Sequence, residues 1–175
     1  MNTRQALTSS GKDDWRTPRA VLDQLDAEFS FDFDAAASCA TWEGRPYLGP
    51  GGAWSDALSD RPWRDLGRVA FLNPPYSRAG GAGRGILAWH ERAFTSGLVV
   101  VVLCPPHPGR RWFQLYASRA DEIRVYRSRL AFVDPSTGEA ARGNTQDSCL
   151  VIYRSQVQSS APRWSWIDVP KRVLR

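Results

Sequence analysis

Asn73-Pro74-Pro75-Tyr76 combines residue types suited to one reaction, attack by the exocyclic amino group of a nucleic-acid base. Such a nitrogen is a poor nucleophile because its lone pair is delocalised into the ring. Two acceptors aimed at its two N–H bonds draw it toward tetrahedral geometry and stabilise the positive charge that develops. The Asn73 side-chain oxygen supplies one acceptor. The Pro74 carbonyl supplies the other, since proline keeps its C=O while lacking an N–H. Pro74 and Pro75 fix φ, so the acceptors are held in place before substrate arrives. Tyr76 offers a flat face for an extruded base, a contact worth roughly 1–3 kcal/mol. A proline-rich turn is the plain structural alternative. The position directly after the apolar run Val69-Ala70-Phe71-Leu72 favours chemistry, because ligand sites in open α/β sheets lie where strands end.

The elements that position this corner follow from hydrophobic periodicity. Thr17-Pro18 predicts an N-cap and a first-turn proline, and the helix that follows carries Val21, Leu22, Leu25 and Phe29 on one face. The alternation from Phe29 to Asp34 predicts a strand that ends at Asp34. Residues 41–68 are rich in Gly, Pro and Trp and read as irregular. Strands are predicted at Val69–Leu72, Leu98–Leu103, Ile123–Tyr126 and Cys149–Tyr153, with a further candidate at Leu130–Val133 and a turn at Asp134–Gly138. Helices are predicted over Ile86–Phe94 and Arg111–Ser118. Strands alternating with helices imply an α/β sandwich with a mostly parallel sheet, and the late segment fits antiparallel strands at one edge.

The chain has 175 residues, a net charge of +5 and 42% hydrophobic residues, which bounds it to one globular domain with one core. A basic balance suits an anionic partner such as nucleic acid. Lys12 and Lys171 are the only lysines, so the charge is almost all arginine, whose planar fork grips phosphate bidentately. Cys39, Cys104 and Cys149 are isolated from one another, and neither His90 nor His107 completes a zinc-ligand spacing, so no metal is expected. The odd cysteine count and the absence of a signal-peptide pattern fit reduced thiols in a cytoplasm. The longest apolar run, Leu98–Cys104, has the length of a central strand and falls short of a membrane span.

A base amine needs an electrophile. An acidic residue at the end of the first strand of an α/β sheet is one way to hold S-adenosylmethionine, and Asp34 stands there, followed by the small residues Ala35, Ala36 and Ala37. A carboxylate at that point accepts from a ligand ammonium or hydroxyl; its structural alternative is to satisfy loop N–H groups. Asp56 is a second candidate, for an adenine amine, with a turn role as its alternative.

The segments Asp14-Trp15-Arg16-Thr17-Pro18, Phe31–Ser38, Asp56-Ala57-Leu58 through Trp63, and Asn73–Ser77 occur in an order that resembles the phage-type DNA N6-adenine methyltransferase family (Dam-like phage enzymes). Arg129-Leu130-Ala131-Phe132 and Asp147-Ser148 are similar to later segments of that family, and the likeness spans roughly residues 13–153. It implies a Rossmann-like methyltransferase fold with S-adenosylmethionine as donor. It also implies cofactor contacts by Trp15, Thr17, Asp34, Ala36, Asp56, Ala57 and Asn73, with Asn73 to Tyr76 as the catalytic site. The segment Cys39-Ala40-Thr41-Trp42 departs from the family pattern, which has an Asn-containing stretch there. The span from Asp34 to Val69 is too short for two full βα units, so either the sandwich is reduced on the cofactor side or irregular loops replace helices there. On this reading residues 1–12 form a flexible N-terminus, 13–154 the methyltransferase domain and 155–175 a basic extension.

The substrate expected is an adenine of double-stranded DNA, turned out of the helix because its amine is unreachable inside the duplex. Arg78, Arg84, Arg110, Arg111, Arg142 and Asn144 fall in loops at the same sheet edge and are candidates for a phosphate-binding rim. N4 of cytosine is the first alternative, since the same acceptors serve any exocyclic amine. An RNA or protein-glutamine substrate keeps the fold and donor. A non-catalytic nucleic-acid-binding protein of the same fold keeps the basic loops and Tyr76 but loses cofactor binding. Carbon-5 chemistry needs a nucleophilic thiolate, usually in a Pro-Cys pair, whereas here Cys104 precedes Pro105.

Overall fold

The computed structural model describes residues 15–76, 85–141, 146–154 and 161–171. Among the described residues three α-helices, α1 (Arg19–Phe29), α2 (Gly85–Thr95) and α3 (Arg111–Leu115), flank one sheet. Its strands are β1 (Phe33–Asp34), β2 (Val69–Leu72), β3 (Val99–Cys104), β4 (Glu122–Tyr126), β5 (Cys149–Tyr153) and β6 (Arg163–Ile167). The spatial order is β1-β2-β3-β5-β4-β6. Pairing is parallel for β1/β2, β2/β3 and β4/β6 and antiparallel on both sides of β5, so β5 alone runs against the rest. The mixed α/β architecture therefore matches expectation.

Alternation along the strands makes two cores. Val100, Val102 and Cys104 face one side of the sheet with Trp89, Ala93, Trp112 and Phe113 of α2 and α3. Val101 and Leu103 face the other, with Val21, Leu22, Leu25 and Phe29 of α1. All five positions of β3 from Val100 to Cys104 are fully buried, as a strand covered on both faces requires. His90 lies in the first core, stacked on Trp112 at 4.3 Å with Nδ1 2.8 Å from the Tyr153 hydroxyl. Burial drives its pKa down to about 3. A neutral core histidine is thus a packing residue here.

Several expectations are corrected. The alternating stretch Phe29–Asp34 is a strand only at its last two residues. Phe29 instead closes α1, because Ser30 takes a left-handed cap conformation (φ 53°) and its N–H bonds to the Asp26 carbonyl. The Asp26 carboxylate accepts from the Phe31 N–H at 3.0 Å and from Arg45 at 2.5 Å, which fixes the turn into β1. The late strand is not at an edge: β5 lies in the middle of the sheet, between β3 and β4. Leu130–Val133 forms no strand, and Val133 makes only isolated bridges to Arg16 and Ala140. The predicted helix over Arg111–Ser118 ends at Leu115 and continues as a single-turn 3-10 helix, Ala117–Arg119.

The basic tail contributes β6, paired in parallel to β4. Glu122 of β4 ties it down, accepting from Arg124 at 2.8 Å, Arg154 at 3.2 Å and Arg163 at 2.9 Å. Between β1 and β2 the chain is irregular, with one 3-10 turn at Trp63–Asp65 and bridges pairing Tyr47 with Asp34 and Leu48 with Trp54. No α-helix separates these two strands, and β1 is a two-residue edge strand.

Candidate active site

The carboxyl ends of β1 and β2 carry Asp34 and Asn73 on neighbouring strands, since Asp34 pairs with Phe71 two residues before Asn73. A cavity of about 650 Å³ opens beside them. That volume lies within the range of small-molecule and cofactor sites, on the order of 300–1,000 Å³. All seven residues singled out for a cofactor line it: Trp15, Thr17, Asp34, Ala36, Asp56, Ala57 and Asn73. Pro75 lines it as well. Residues distributed from position 15 to position 75 thus share one surface because parallel strands bring their carboxyl ends together.

Asp34 is the buried charge of the cavity. Its Oδ1 accepts from the Ala36 N–H at 2.9 Å and its Oδ2 from the Thr41 hydroxyl at 2.5 Å. Burial raises its pKa to about 6, although both hydrogen bonds work in the opposite direction. A carboxylate offers about four lone-pair sites, and two are used by the protein. Asp34 therefore does what a strand-end Asp does structurally and retains capacity for a ligand donor. Asp56 also makes its turn contact, its Oδ1 accepting from the Leu58 N–H at 2.9 Å, while lining the cavity.

The cavity lining mixes small residues, among them Ala36, Ala37 and Gly49, with the rings of Trp15, Phe71 and Trp89. Gly49 has φ +145°, and a Cβ there would lie 1.9 Å from the Ala37 carbonyl oxygen. Trp15 stacks on Phe132 with ring centroids 6.5 Å apart. Trp89 lines the cavity from α2 and has a buried Nε1–H with no acceptor.

Thr17 is not an N-cap. Pro18 occupies that position, and no side chain caps α1. The Thr17 hydroxyl instead accepts from Asn73 Nδ2 at 3.2 Å. On its other end, Asn73 Oδ1 accepts from the Tyr76 hydroxyl at 2.8 Å, and that hydroxyl is also 3.2 Å from the Leu103 carbonyl of β3. The amide is thus gripped from both sides. Pro74 is buried, Pro75 half-buried, and Tyr76 is 38% exposed, so the ring retains a solvent-facing surface at the corner.

Arg110, at the end of the connection from β3, and Arg111, the first residue of α3, are exposed on the same sheet edge as Asn73. Arg78, Arg84, Arg142 and Asn144 lie outside the described residues. Cys104 is fully buried with its sulfur 3.9 Å from that of Cys149, and burial pushes its thiol well up, the opposite of an activated nucleophile. Among the described residues there is no cluster of three or more metal-ligating side chains and no helix long and apolar enough to cross a membrane. Sequence reasoning missed Thr41 and Gly49. A hydroxyl seven residues after the acidic residue and a glycine ending the Tyr47-Leu48 pair were the available signals.

The Asn73 corner stands beside a buried carboxylate and a cofactor-sized cavity at the strand ends of an α/β sheet, an arrangement suited to a group-transfer enzyme. The family model described as DNA N-6-adenine-methyltransferase (Dam) matches residues 4–172, and the chain belongs to that family. It is similar to the DNA N-6-adenine-methyltransferase of Haemophilus phage HP1, with 26% identity covering 97% of this chain and 94% of the relative. It is also similar to the protein of that description from Escherichia phage T1, with 25% identity covering 90% of this chain and 69% of the relative. No solved structure matches. The enzyme is thus a DNA adenine-N6 methyltransferase of the phage type.

Proposed function

We propose that this methyltransferase binds S-adenosylmethionine in the 650 Å³ cavity and transfers its methyl group to N6 of an adenine turned out of duplex DNA. The reading is carried by one observation: the buried Asp34 carboxylate, Asp56 and the Asn73 amide line a single cavity at the strand ends. The one antiparallel strand in an otherwise codirectional sheet supports a Rossmann-like methyltransferase fold. Asp34 accepts from the ammonium or ribose hydroxyl of the donor, and Asp56 from its adenine amine. Ala36 and Ala57 allow close approach, and Trp15 covers the mouth. When bound, the donor supplies a methyl group made electrophilic by its sulfonium.

The base enters the Asn73–Tyr76 corner. Asn73 Oδ1 and the Pro74 carbonyl accept from N6, whose lone pair attacks the methyl carbon in line. The carbon–sulfur bond breaks, its electron pair stays on sulfur, and the nitrogen then loses a proton to water. Fixed acceptors need no reorganisation as charge develops, and removing one donor or acceptor of this kind costs about 10²–10³ in rate. Tyr76 stacks on the extruded base. Arg110 and Arg111, with Arg78, Arg84, Arg142 and Asn144, contact the phosphates, and the work is done in the host cytoplasm.

The test is transfer of labelled methyl from S-adenosylmethionine to DNA, followed by digestion and separation of the nucleosides. Label is expected in N6-methyladenine for the wild type and is expected to fall at least a hundredfold for Asn73→Ala. Label in N4-methylcytosine, or equal rates in the two proteins, contradicts the reading.

A further inference from the structure

We infer that the carboxyl end of β6 is a further DNA contact, in which Trp166 and Asp168 hold the Arg127 guanidinium toward a phosphate of the duplex flanking the target adenine. The inference rests on the reading that the adenine enters at the Asn73 corner. Trp164 and Trp166 alternate onto one face of β6, and at 55% and 62% they are the most exposed large apolar side chains among the described residues. Trp164 leans on Phe113 of α3, with ring centroids 6.2 Å apart. Packing does not account for Trp166, which leaves most of its ring in water.

Trp166 instead carries a cation. The Arg127 guanidinium stands over its ring, 5.9 Å from the centroid. Arg127 directly follows β4, and its N–H donates to the Ile167 carbonyl at 3.0 Å, so the two backbones are tied together at this point. Its Nε lies 3.3 Å from the Asp168 carboxylate, and the side chains of both partners are well exposed, at 60% and 85%. A guanidinium stacked by its face and held at Nε keeps its Nη edge free, and that edge can grip a phosphate bidentately. Water screens the Asp168 carboxylate at that exposure, so it orients Arg127 more than it neutralises it.

The place of this group in the fold selects the partner. β2, β3, β4 and β6 run in one direction, so Arg127 and the end of β6 stand on the same sheet edge as Asn73, Arg110 and Arg111. Counting from β2, β4 is the third strand along and β6 the fourth. At about 4.8 Å per strand the separation is roughly 14–19 Å. Duplex DNA rises about 3.4 Å per base pair, so a duplex laid along this edge brings the Trp166–Arg127 pair roughly four to six base pairs from the target adenine. A polyanion complements this cation and the arginines beside it. A second copy of this chain would set like charge against like.

Modified-base sequencing of plasmid treated with the wild type first maps the methylated adenine. KM for DNA and kcat are then measured on duplexes that keep about twelve base pairs on one side of that adenine and about twelve or about three on the other, in both polarities. Fluorescence titration in increasing salt gives DNA affinity, calorimetry gives S-adenosylmethionine affinity, and light scattering gives the mass. The proteins are the wild type, Arg127→Gln, Trp166→Ala and Trp166→Phe. On the full duplex Arg127→Gln and Trp166→Ala are each expected to raise KM about fivefold, with kcat and donor affinity unchanged. Arg127→Gln is expected to lower the salt slope by about 1, and Trp166→Phe, which keeps a ring under the guanidinium, to stay within about twofold of the wild type. Shortening the flank in one polarity is expected to raise the wild-type KM by a similar factor and to erase the difference between wild type and variants. Variants without a loss on the full duplex, or with an equal loss on both shortened duplexes, overturn the inference. So does a dimeric wild type that Trp166→Ala converts to a monomer, because the indoles then join two copies of the chain. A wild type that methylates no DNA strikes the reading of the Asn73 corner; the DNA contact is still judged by titration, where an unchanged salt slope in Arg127→Gln overturns it.

Discussion

Replacing Asp34 by asparagine is expected to stabilise the protein and weaken the donor site at once. The folded protein holds this carboxyl at about 6 against an ordinary 3.8, chiefly through burial. A raised carboxyl pKa means that the native state binds more protons than the unfolded state between these two values. Stability is therefore present below about pH 4 and declines as pH rises through about 6. At neutral pH the gap corresponds to about 3 kcal/mol of strain, using 1.36 kcal/mol per unit. Asparagine keeps an acceptor for the Ala36 N–H, and its NH2 can donate to the Thr41 oxygen, so the neutral isostere removes the strain without emptying the site. For a chain of this length that is an increase in melting temperature of roughly 5–10 °C at pH 7.5. Donor binding moves the other way. The ionised form must be regenerated at low pH, so wild-type affinity for S-adenosylmethionine should be about tenfold weaker at pH 5 than at pH 8. Asp34→Asn should bind weakly and without that slope. Thermal melts and calorimetric titrations across this pH range decide the matter. A melting temperature that falls on substitution, or a wild-type affinity flat from pH 5 to 8, refutes the reasoning.

Gly49→Ala should lower stability and abolish donor binding together, because the new methyl would lie 1.9 Å from the Ala37 carbonyl at a φ of +145°; calorimetry and a melt on the same sample check both. Glu122→Gln should loosen β6, since burial raises this carboxyl but hydrogen bonds from Arg124, Arg163 and Arg154 outweigh it and hold it at about 2. The wild type should accordingly lose that contribution only as pH falls from about 4.5 toward 2, and the variant should melt about 2 kcal/mol less stable at pH 7, a figure discounted for the exposure of Arg163 and Arg154. Arg110→Ala and Arg111→Ala should each weaken DNA binding uniformly across sequences and reduce the slope of log affinity against log salt by about 1, read by fluorescence titration in increasing salt.

Much of the sheet was legible in the sequence. β3 and β5 are continuous apolar runs, and burial on both faces is the one environment that accepts such runs at strand length. The corner at Asn73 was legible for the same reason, since β2 ends where its apolar run ends. Positions set by non-local contacts were hidden. Thr17 reads locally as a cap, yet its hydroxyl is claimed by Asn73, 56 residues away. Phe29 to Asp34 alternates like a strand, but the Asp26 carboxylate and Arg45 turn the chain after Phe29. Arg163–Ile167 looked like a basic tail because its two tryptophans stay more than half exposed, while its backbone completes the sheet beside β4. The central position of β5 is a matter of topology, which periodicity along a strand does not encode.

A crystal structure with S-adenosylhomocysteine bound gives the sharpest comparison of corner and cavity. The product is expected in the 650 Å³ cavity, with a donor group at Asp34 and its sulfur directed at the Asn73 side chain. A product bound elsewhere, or one whose sulfur points away from Asn73 while Tyr76 still closes the corner, contradicts the assignment of both sites.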